Sequence, residues 1–352
     1  MPPAPNVNPS APGSDVLVAD IGGTHARLAR AGSDGRAQGE RTLRVAEFAS
    51  IVDAVERYLA DAGRPRPQRA AFAVATPITG DQVKLTNGHW GFSINRTRDA
   101  LGLRELLILN DFTALAWALP TLGPADLRAV GGGAAVAGTP LGLIGPGTGL
   151  GVSGLIAAAG GWVPLQGEGG HASVSPADAR EAAILQVAWR SHPHVSIERL
   201  VSGTGLPLLL AAVAEVDGLP VPADWSSTRP GAAGSQVAAA TAATPTPPMI
   251  TDAALKLADP LCIATLNTFC SLLGTAAANL ALTIGARGGV YIGGGIVPRL
   301  GDFFDRSPFR ARFEAKGRFT GYLAAIPTFV ILAANPALAG AARALAARGW
   351  PT

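Results

Sequence analysis

The sequence predicts an α/β protein made of two domains with a cleft between them. Its 352 residues are enough for two domains of ordinary size, and a hydrophobic content of 48% supplies material for both cores. Short apolar runs typical of strands alternate with segments of helical periodicity. A hairpin that closes around glycine and threonine occurs in each half of the chain, which indicates a weak internal duplication.

The first half of the chain is predicted to form a small α/β domain over residues 15–121. It opens with a β-hairpin in which an apolar strand from Val16 leads into the turn Gly22-Gly23-Thr24 and a return strand from Ala26. The elements predicted after it are a helix at 48–62, a strand at 70–75, a loop at 77–90, a strand at 106–109 and a helix at 114–119.

The second half is predicted to form a larger α/β domain over residues 122–334. Its hairpin starts at Leu141 and turns through Gly145-Pro-Gly-Thr-Gly-Leu-Gly151, and a third glycine turn follows the strand at 290–292. Residues 221–248 are rich in Ala, Thr, Ser, Pro and Gly, a composition that predicts a mobile surface insertion.

Both ends of the chain have a distinctive composition. Residues 1–14 are proline-rich and uncharged, which predicts a flexible tail and no secretory signal. The alanine-rich segment 335–352 is predicted to be a closing helix that rejoins the small domain, with Asn335 as its N-cap and Pro336 in its first turn.

The charge and the cysteine content indicate which binding partners and which cellular compartment to expect. The net charge of +3 comes from 28 basic and 25 acidic side chains, and it gives no reason to expect a nucleic-acid or membrane partner. Cys262 and Cys270 are predicted to lie on one helix about 12 Å apart, too far for a disulfide. Neither has neighbours at metal-site spacing. Buried, inert thiols of this kind indicate a cytoplasmic protein.

One uncharged segment, residues 261–286, is long enough to be compared with a membrane span. Its polar residues recur every four positions, at Asn267, Ser271, Thr275 and Asn279, and so form a stripe along one face of a helix. This pattern favours a helix packed inside a soluble protein over a bilayer span.

The glycine turns are typical of phosphate-binding sites. Phosphate binding needs close approach of the backbone and free N–H donors, which side chains at those positions would obstruct. The chain contains no GxxxxGK[ST] motif, and its first glycine turn leads into a strand instead of a helix, which departs from both the P-loop and the dinucleotide-binding patterns. Two phosphate-binding hairpins indicate another way to hold a triphosphate, although either turn alone is weak evidence.

A series of motifs in this chain resembles the bacterial glucokinase family, within the hexokinase-like and actin-like ATPases. The segments that carry the resemblance span nearly the whole chain after the tail: Asp20-Ile-Gly-Gly-Thr-His-Ala-Arg-Leu, Leu85-Thr-Asn with Trp90, Leu109-Asn-Asp-Phe-Thr-Ala, Gly147-Thr-Gly-Leu-Gly, Gly167-Glu-Gly-Gly-His, Glu198-Arg-Leu-Val-Ser-Gly, Gly288-Gly-Val-Tyr-Ile-Gly-Gly-Gly-Ile-Val-Pro-Arg and Phe309 to Phe319. The resemblance implies two domains of the actin-like ATPase (ribonuclease H-like) type, ATP-dependent phosphorylation of glucose at its 6-hydroxyl, and a homodimer.

The resemblance also implies roles for individual residues. It implies that Asp111 is the catalytic base. The implied sugar ligands are Asn87, Asn110, Asp111, Glu168, His171 and Glu198. The implied nucleotide-binding residues are Asp20, Gly22, Gly23, Thr24, Gly147, Thr148, Gly149, Gly294 and Gly295. The chain departs from the family pattern at His25, where asparagine is common, and at Gly88, ahead of His89. The cysteine-rich zinc motif of the related repressors is missing.

General chemistry supports several of these roles. A sugar hydroxyl is a poor nucleophile, so its phosphorylation needs a carboxylate that takes the proton, and Asp111 follows directly after a strand. The alternative role for Asn110 or Asp111 is to cap the following helix. Glu168 and His171 can together satisfy hydroxyls that both donate and accept. Asp20 is expected to hold Mg²⁺ through water, without forming a dedicated metal site.

The sequence is also compatible with other functions. A non-catalytic sugar-binding regulator would need a DNA-binding element, which fourteen proline-rich residues do not supply. An actin-like or chaperone-like ATPase would share the phosphate turns but would not need a hexose pocket. A kinase of another hexose, such as mannose or fructose, or a kinase with a donor other than ATP, remains an alternative. The other histidines, His25, His89, His192 and His194, are interpreted as structural.

Overall fold

The computed structural model describes residues 16–32, 35–62, 66–86, 88–222, 225 and 244–348. The predicted tail at 1–14, the predicted sugar ligand Asn87, residues 223–224 and 226–243 of the predicted insertion, and the last four residues lie outside the described residues.

The described residues form both strands and helices throughout the chain, which confirms the predicted α/β class. The strands are β1 Val16–Ile21, β2 His25–Ala31, β3 Ala37–Arg44, β4 Arg69–Val74, β5 Gln82–Lys84, β6 Gly91–Ser93, β7 Glu105–Asn110, β8 Leu127–Ala129, β9 Leu141–Pro146, β10 Leu150–Ala158, β11 Gly161–Gln166, β12 Val290–Ile292 and β13 Thr328–Ile331. The helices are α1 Ile51–Ala62, α2 Ile94–Ala100, α3 Asp111–Ala118, α4 Ala179–Trp189, α5 Ile197–Leu200, α6 Leu206–Asp217, α7 Pro247–Lys256, α8 Pro260–Ile284, α9 Val297–Leu300, α10 Asp302–Arg306, α11 Phe309–Glu314, α12 Thr320–Ala324 and α13 Pro336–Ala346.

The chain divides into two compact units. One comprises residues 1–123, 158–166 and 333–352, and the other comprises 124–157 and 167–332. Residues 158–166 fall in the first unit, although they lie within the predicted second domain, because Trp162 packs against an apolar cluster of the first unit. The domain boundaries at residues 121 and 334 stay a prediction.

The sheet of the first unit has the strand order β3-β2-β1-β4-β7. Strands β1, β2 and β3 are antiparallel neighbours, whereas β1, β4 and β7 run parallel. Residues of β1 alternate between two apolar clusters: Leu17, Ala19 and Ile21 face one, and Val16 and Val18 face the other. Both faces are therefore covered, which is why the strand reads as a continuous apolar run.

The second unit repeats this plan. Its strands lie in the order β10-β9-β12-β13-β8, within a six-stranded sheet that β11 completes. The β9–β10 hairpin is antiparallel, β9, β12 and β13 are parallel neighbours, and β8 is antiparallel to β13. Each unit thus has an antiparallel hairpin with a glycine turn. The first strand of that hairpin pairs on its other side with a parallel strand. This shared arrangement is what the two similar hairpins in the sequence suggested.

Helix α8 is, within the described part of the chain, the helix long and apolar enough to cross a membrane, and 83% of its most apolar window is buried. It packs against α6, α7 and α11 of the same unit. Ser271 and Thr275 of its polar stripe are buried, while Asn279 is exposed and accepts a hydrogen bond from Lys316 Nζ at 2.7 Å. Cys262 and Cys270 are buried, free thiols, as predicted, and burial raises the pKa of each to about 12.

Three local predictions differ from the structure. The loop predicted at 77–90 contains β5, which pairs with β6 as a short hairpin. Helix α3 begins at Asp111 and not at 114, because Asn110 caps it. Asn335 occupies the predicted N-cap position of α13 but makes no side-chain cap bond; its backbone is left-handed, with φ of 50°, and its amide donates to Glu40 at 2.6 Å.

Candidate active site

Two aspartates lie at the same edge of the first sheet. Asp20 is near the carboxyl end of β1 and Asp111 directly follows β7, and the parallel strand β4 lies between these two strands. The register pairs Asp20 with Ala73 and Val74 with Asn110. Because parallel strands end at one edge, the sheet itself brings both carboxylates to that edge.

Asn110 and the first turn of α3 hold the carboxylate of Asp111. The Asn110 side-chain oxygen accepts hydrogen bonds from Phe112 N at 3.0 Å and Thr113 N at 3.2 Å, as an N-cap does. Its amide nitrogen donates to Asp111 Oδ1 at 3.0 Å, and Phe112 N donates to the same oxygen at 2.9 Å. Asn110 therefore caps the helix and also holds the neighbouring carboxylate, while its role as a sugar ligand stays a prediction.

The surroundings of Asp111 raise the pKa of its carboxyl group above that of an aspartate in water. Burial raises the pKa of Asp111 to about 6, the negative charge of Asp20 adds to the rise, and the hydrogen bonds from Phe112 and Asn110 oppose it. A carboxyl with this pKa is about nine-tenths ionised at pH 7 and is still a better proton acceptor than an ordinary aspartate.

Asp20 has a partner that the sequence analysis missed. Arg27 Nη1 donates to Asp20 Oδ2 at 3.1 Å. The two residues are paired across the β1–β2 hairpin, so counting symmetrically outward from the glycine turn would have found the contact. Burial raises the pKa of Asp20, and the Arg27 guanidinium opposes that rise. The turn between the strands closes with a hydrogen bond from Gly22 N to His25 O at 2.9 Å, and Thr24 is exposed.

In the second unit, three predicted sugar ligands lie together. His171 Nδ1 is 4.0 Å from Glu198 Oε1, and His171 Nε2 is 4.0 Å from Glu168 Oε2. These distances are too long for hydrogen bonds, so the polar atoms are available to a ligand. The side chains of Glu168 and His171 are 55% and 61% exposed, which suits them to contact a molecule from solvent.

Glu198 links this group to the second glycine turn. Its Oε2 accepts a hydrogen bond from Leu150 N at 2.8 Å, directly after the turn at 147–149. A Cβ atom at Gly149 would overlap with the same carboxylate oxygen, so only glycine allows this approach. The turn itself closes with a hydrogen bond from Gly147 N to Gly149 O at 2.8 Å.

The segment after α5 supports the same turn, which the sequence analysis did not foresee. Gly203 N donates to Gly147 O at 2.8 Å, and both the backbone N and the hydroxyl of Thr204 donate to Thr148 O, at 3.2 and 3.1 Å. Ser202 Oγ lies 3.1 Å from the Thr204 hydroxyl. The signal in the sequence was the run Val201-Ser-Gly-Thr-Gly, which repeats the small and hydroxyl residues of the turn it supports.

The third glycine turn packs on the end of β9. Gly294 has φ of +77°, a left-handed conformation, and a Cβ there would overlap with the carbonyl of Pro146. Gly293 N donates to Ile144 O at 2.9 Å, whereas Gly295 is exposed and a Cβ added to it would meet open space. The turns at 147–149 and 294–295 are therefore joined through β9, within one unit.

Metal ligands were not predicted for this chain. Within the described residues, no group of three or more His, Cys, Asp or Glu side chains could hold a metal ion. Asp20, the residue expected to contact Mg²⁺ through water, is half-buried and already paired with Arg27. This fits a carboxylate that contacts a hydrated ion more than one that binds it directly.

Comparisons with known proteins identify the relatives of this chain. The family model described as Glucokinase matches residues 17–348. A glucokinase of Chromobacterium violaceum is 50% identical over 330 residues, which cover 94% of this chain and 89% of that protein. The crystal structure of a glucokinase from an Antarctic psychrotroph superposes with a TM-score of 0.82 at 35% identity, covering 94% of this chain and 98% of that one.

A more distant structure shares the fold. It is a ROK family glucokinase from Streptomyces griseus, solved in complex with glucose and AMPPNP, with a TM-score of 0.59 at 19% identity; the match covers 95% of this chain and 100% of that one. These matches confirm the predicted α/β fold of the actin-like ATPase type.

Proposed function

Because this chain belongs to the glucokinase family and is a hexose kinase, we propose that it transfers the γ-phosphate of ATP to the 6-hydroxyl of glucose. The products are glucose 6-phosphate and ADP. Asp111 is the base in this proposal. The observation that supports it most strongly is the fixed carboxylate of Asp111 at the carboxyl edge of a parallel sheet, with a pKa raised to about 6.

In the proposed mechanism, Asp111 accepts the proton of the 6-hydroxyl as that oxygen attacks the γ-phosphorus. The new O–P bond forms as the bond between the γ-phosphorus and the bridging oxygen of ADP breaks. Phe112 N and the Asn110 amide both donate to Oδ1, so they keep the carboxylate oriented while it takes the proton. A base with a pKa near the working pH gives a rate contribution of about 10² to 10⁴.

We propose Asn87, Asn110, Glu168, His171 and Glu198 as the ligands of the other sugar hydroxyls. The 4.0 Å spacing of His171 from both glutamates supports this, because a hydroxyl can be held by an imidazole and a carboxylate at once. The same residues would distinguish hexoses by the orientation of each hydroxyl, since a misplaced hydroxyl leaves unpaired the polar groups that the bound sugar covers.

The glycine turns are the proposed phosphate-binding elements. Exposed Thr24 and Thr148 can donate hydroxyl hydrogen bonds. Apart from the chain neighbours of Gly147, no atom of the described residues lies within 4 Å of where a Cβ would stand at that glycine, so there is space for a ligand beside the turn. Gly294 and Gly295 are proposed to lie near the adenosine. When bound with ATP, Mg²⁺ would neutralise charge on the phosphate oxygens, and Asp20 is the residue proposed to contact its water shell.

A panel of substrates tests the proposal. The protein is assayed with glucose, mannose, fructose and other hexoses, and with ATP and other phosphate donors, with ADP release measured by a coupled reaction. We expect glucose with ATP to give the highest kcat/KM. A higher kcat/KM with another hexose would favour the alternative of a different hexose kinase, and glucose binding without turnover would favour a non-catalytic sugar-binding regulator.

Substitutions in the second unit test the sugar ligands. Loss of one hydrogen-bonding partner that the bound sugar covers costs about 1 to 3 kcal/mol, so Glu168→Ala and His171→Ala should each raise the KM for glucose about 5- to 150-fold. The KM for ATP should change much less. Wild-type glucose kinetics in both variants would remove these residues from the sugar site.

We further propose that the protein works in the cytoplasm, in glycolysis, as a homodimer. Two buried free thiols and a long apolar helix buried within its unit support a cytoplasmic location. Light scattering after size-exclusion chromatography would test the dimer: the 35.6 kDa chain should elute with twice its mass, and a monomeric mass at micromolar concentration would contradict the proposal.

A further inference from the structure

Two of the residues proposed to bind the sugar, Glu168 and His171, lie on a loop with little regular structure of its own. Residues Gly169–His171 form a single 3-10 turn, and Glu168 precedes it without a side-chain cap. Beneath the turn, Gly170 lies so close to Leu150 O that a Cβ would overlap with it. The side chains of Glu168 and His171 are both more than half exposed, so packing fixes them little. The position of their polar atoms therefore depends on what holds the backbone of this turn.

One neighbouring segment, residues 194–197, holds the far side of the turn. Ile197 N donates to Ala172 O at 2.9 Å, and Val174 N donates to Val195 O at 3.1 Å. The third contact comes from a side chain: His194 Nε2 lies 3.1 Å from His171 O. A carbonyl oxygen only accepts hydrogen bonds, so Nε2 must carry the proton.

We propose that His194 is a positioning residue for the sugar site, which orients His171 by donating a hydrogen bond to its backbone carbonyl. Among these three contacts, only that of His194 is made by a side chain. It is therefore the one contact of the three that a substitution can remove while the main chain stays the same. It acts on the residue whose imidazole stands between Glu168 and Glu198. This inference rests on the proposed function, because it assigns His194 to the same sugar site.

The expected consequence is specific for the sugar. His194 lies outside the group of side chains that would touch glucose, and it acts equally on the bound ground state and the transition state. Loss of its hydrogen bond should therefore raise the KM for glucose while kcat stays near the wild-type value. A net hydrogen bond of this kind corresponds to about a two- to tenfold change in an equilibrium constant.

Two substitutions at this position and one beside it form the test. His194→Ala removes the donor, and His194→Gln keeps an amide N–H at about the distance of Nε2 but cannot become charged. The control is His192→Ala: His192 is a nearby histidine whose Nδ1 contacts the hydroxyl of Ser191 at 2.8 Å and not the sugar loop. Each variant is assayed for the KM of glucose, the KM of ATP and kcat, and glucose affinity is measured by calorimetry.

We expect His194→Ala to raise the KM and the dissociation constant for glucose about two- to tenfold, His194→Gln to restore most of the loss, and His192→Ala to match the wild type. An unchanged KM in His194→Ala, or an equal effect in His192→Ala, would overturn the inference. Failure of His194→Gln to restore binding would do so too. If the wild type itself does not phosphorylate glucose, the proposed function is refuted together with the role of His194. If the wild type is active and the variants contradict the expectation, only the role of His194 is refuted.

Discussion

Replacing Asp111 by asparagine separates its basicity from its shape. The substitution keeps a side-chain oxygen that can accept the hydrogen bonds from Phe112 N and the Asn110 amide, so the start of α3 should stay intact. Asparagine cannot accept the proton of the sugar. We therefore expect kcat to fall by about 10² to 10⁴, while the affinity for glucose changes far less.

The same substitution should change stability in a way that depends on pH. The pKa of Asp111 is about 6 in the folded protein, against 3.8 for an ordinary aspartate, so the folded state binds its proton more tightly than the unfolded state does. Ionised Asp111 thus destabilises the fold above pH 6, and this cost disappears as the pH falls below about 4. The difference in pKa corresponds to at most about 3 kcal/mol, and partial exposure to solvent reduces it.

Asp111→Asn should accordingly have a higher Tm than the wild type at pH 8, by a few degrees for each kcal/mol, and nearly the same Tm at pH 4. Differential scanning fluorimetry at both pH values measures this, and a coupled assay of glucose 6-phosphate gives kcat. Turnover near that of the wild type would remove Asp111 from the mechanism. A Tm difference that is equal at both pH values would refute the reasoning about its pKa.

Three other substitutions give further predictions. Asp20→Asn removes a negative charge that raises the pKa of Asp111, so the acid limb of the kcat/KM profile should move to lower pH; an unmoved limb would mean that the two carboxylates do not interact. Thr204→Val removes the hydroxyl that supports the second glycine turn and should raise the KM for ATP about two- to tenfold, whereas Thr204→Ser should not. Gly340→Ala would place a methyl group against a carbonyl of helix α3 and should lower stability by about 1 to 3 kcal/mol, while Gly321→Ala, which has open space, should leave the Tm nearly unchanged.

The sequence predicted the elements whose pattern is local. The two hairpins are readable because apolar runs flank a glycine turn, and β7 followed by Asn110 is readable because a buried strand ends at a capping residue. The start of α3 was placed three residues too late, since Phe112 and Thr113 suit a strand as well as a helix and only the cap decides between them. Strands β5 and β6 were missed because three residues are too few to show a period of two.

Contacts between distant segments could not be read from the sequence alone. The support of Gly147 and Thr148 by the segment from Ser202 to Thr204 joins residues more than fifty positions apart. The contact of His194 with His171 also depends on how two loops meet, and no spacing rule predicts it. Asn335 resembled a helix cap in sequence, but its left-handed backbone turns the amide towards Glu40. Local propensity gives no information about such partners.

The position of the transferred phosphate tests the central proposal most directly. The protein is incubated with ATP and glucose, and the product is identified by ³¹P and ¹H NMR; 6-deoxyglucose, which lacks the reacting hydroxyl, is the matched control. We predict that glucose gives glucose 6-phosphate with one ADP for each phosphate transferred, and that 6-deoxyglucose gives no ADP above the rate without sugar. Phosphate on another hydroxyl, phosphorylation of 6-deoxyglucose, or no sugar phosphate at all would contradict the proposed reaction.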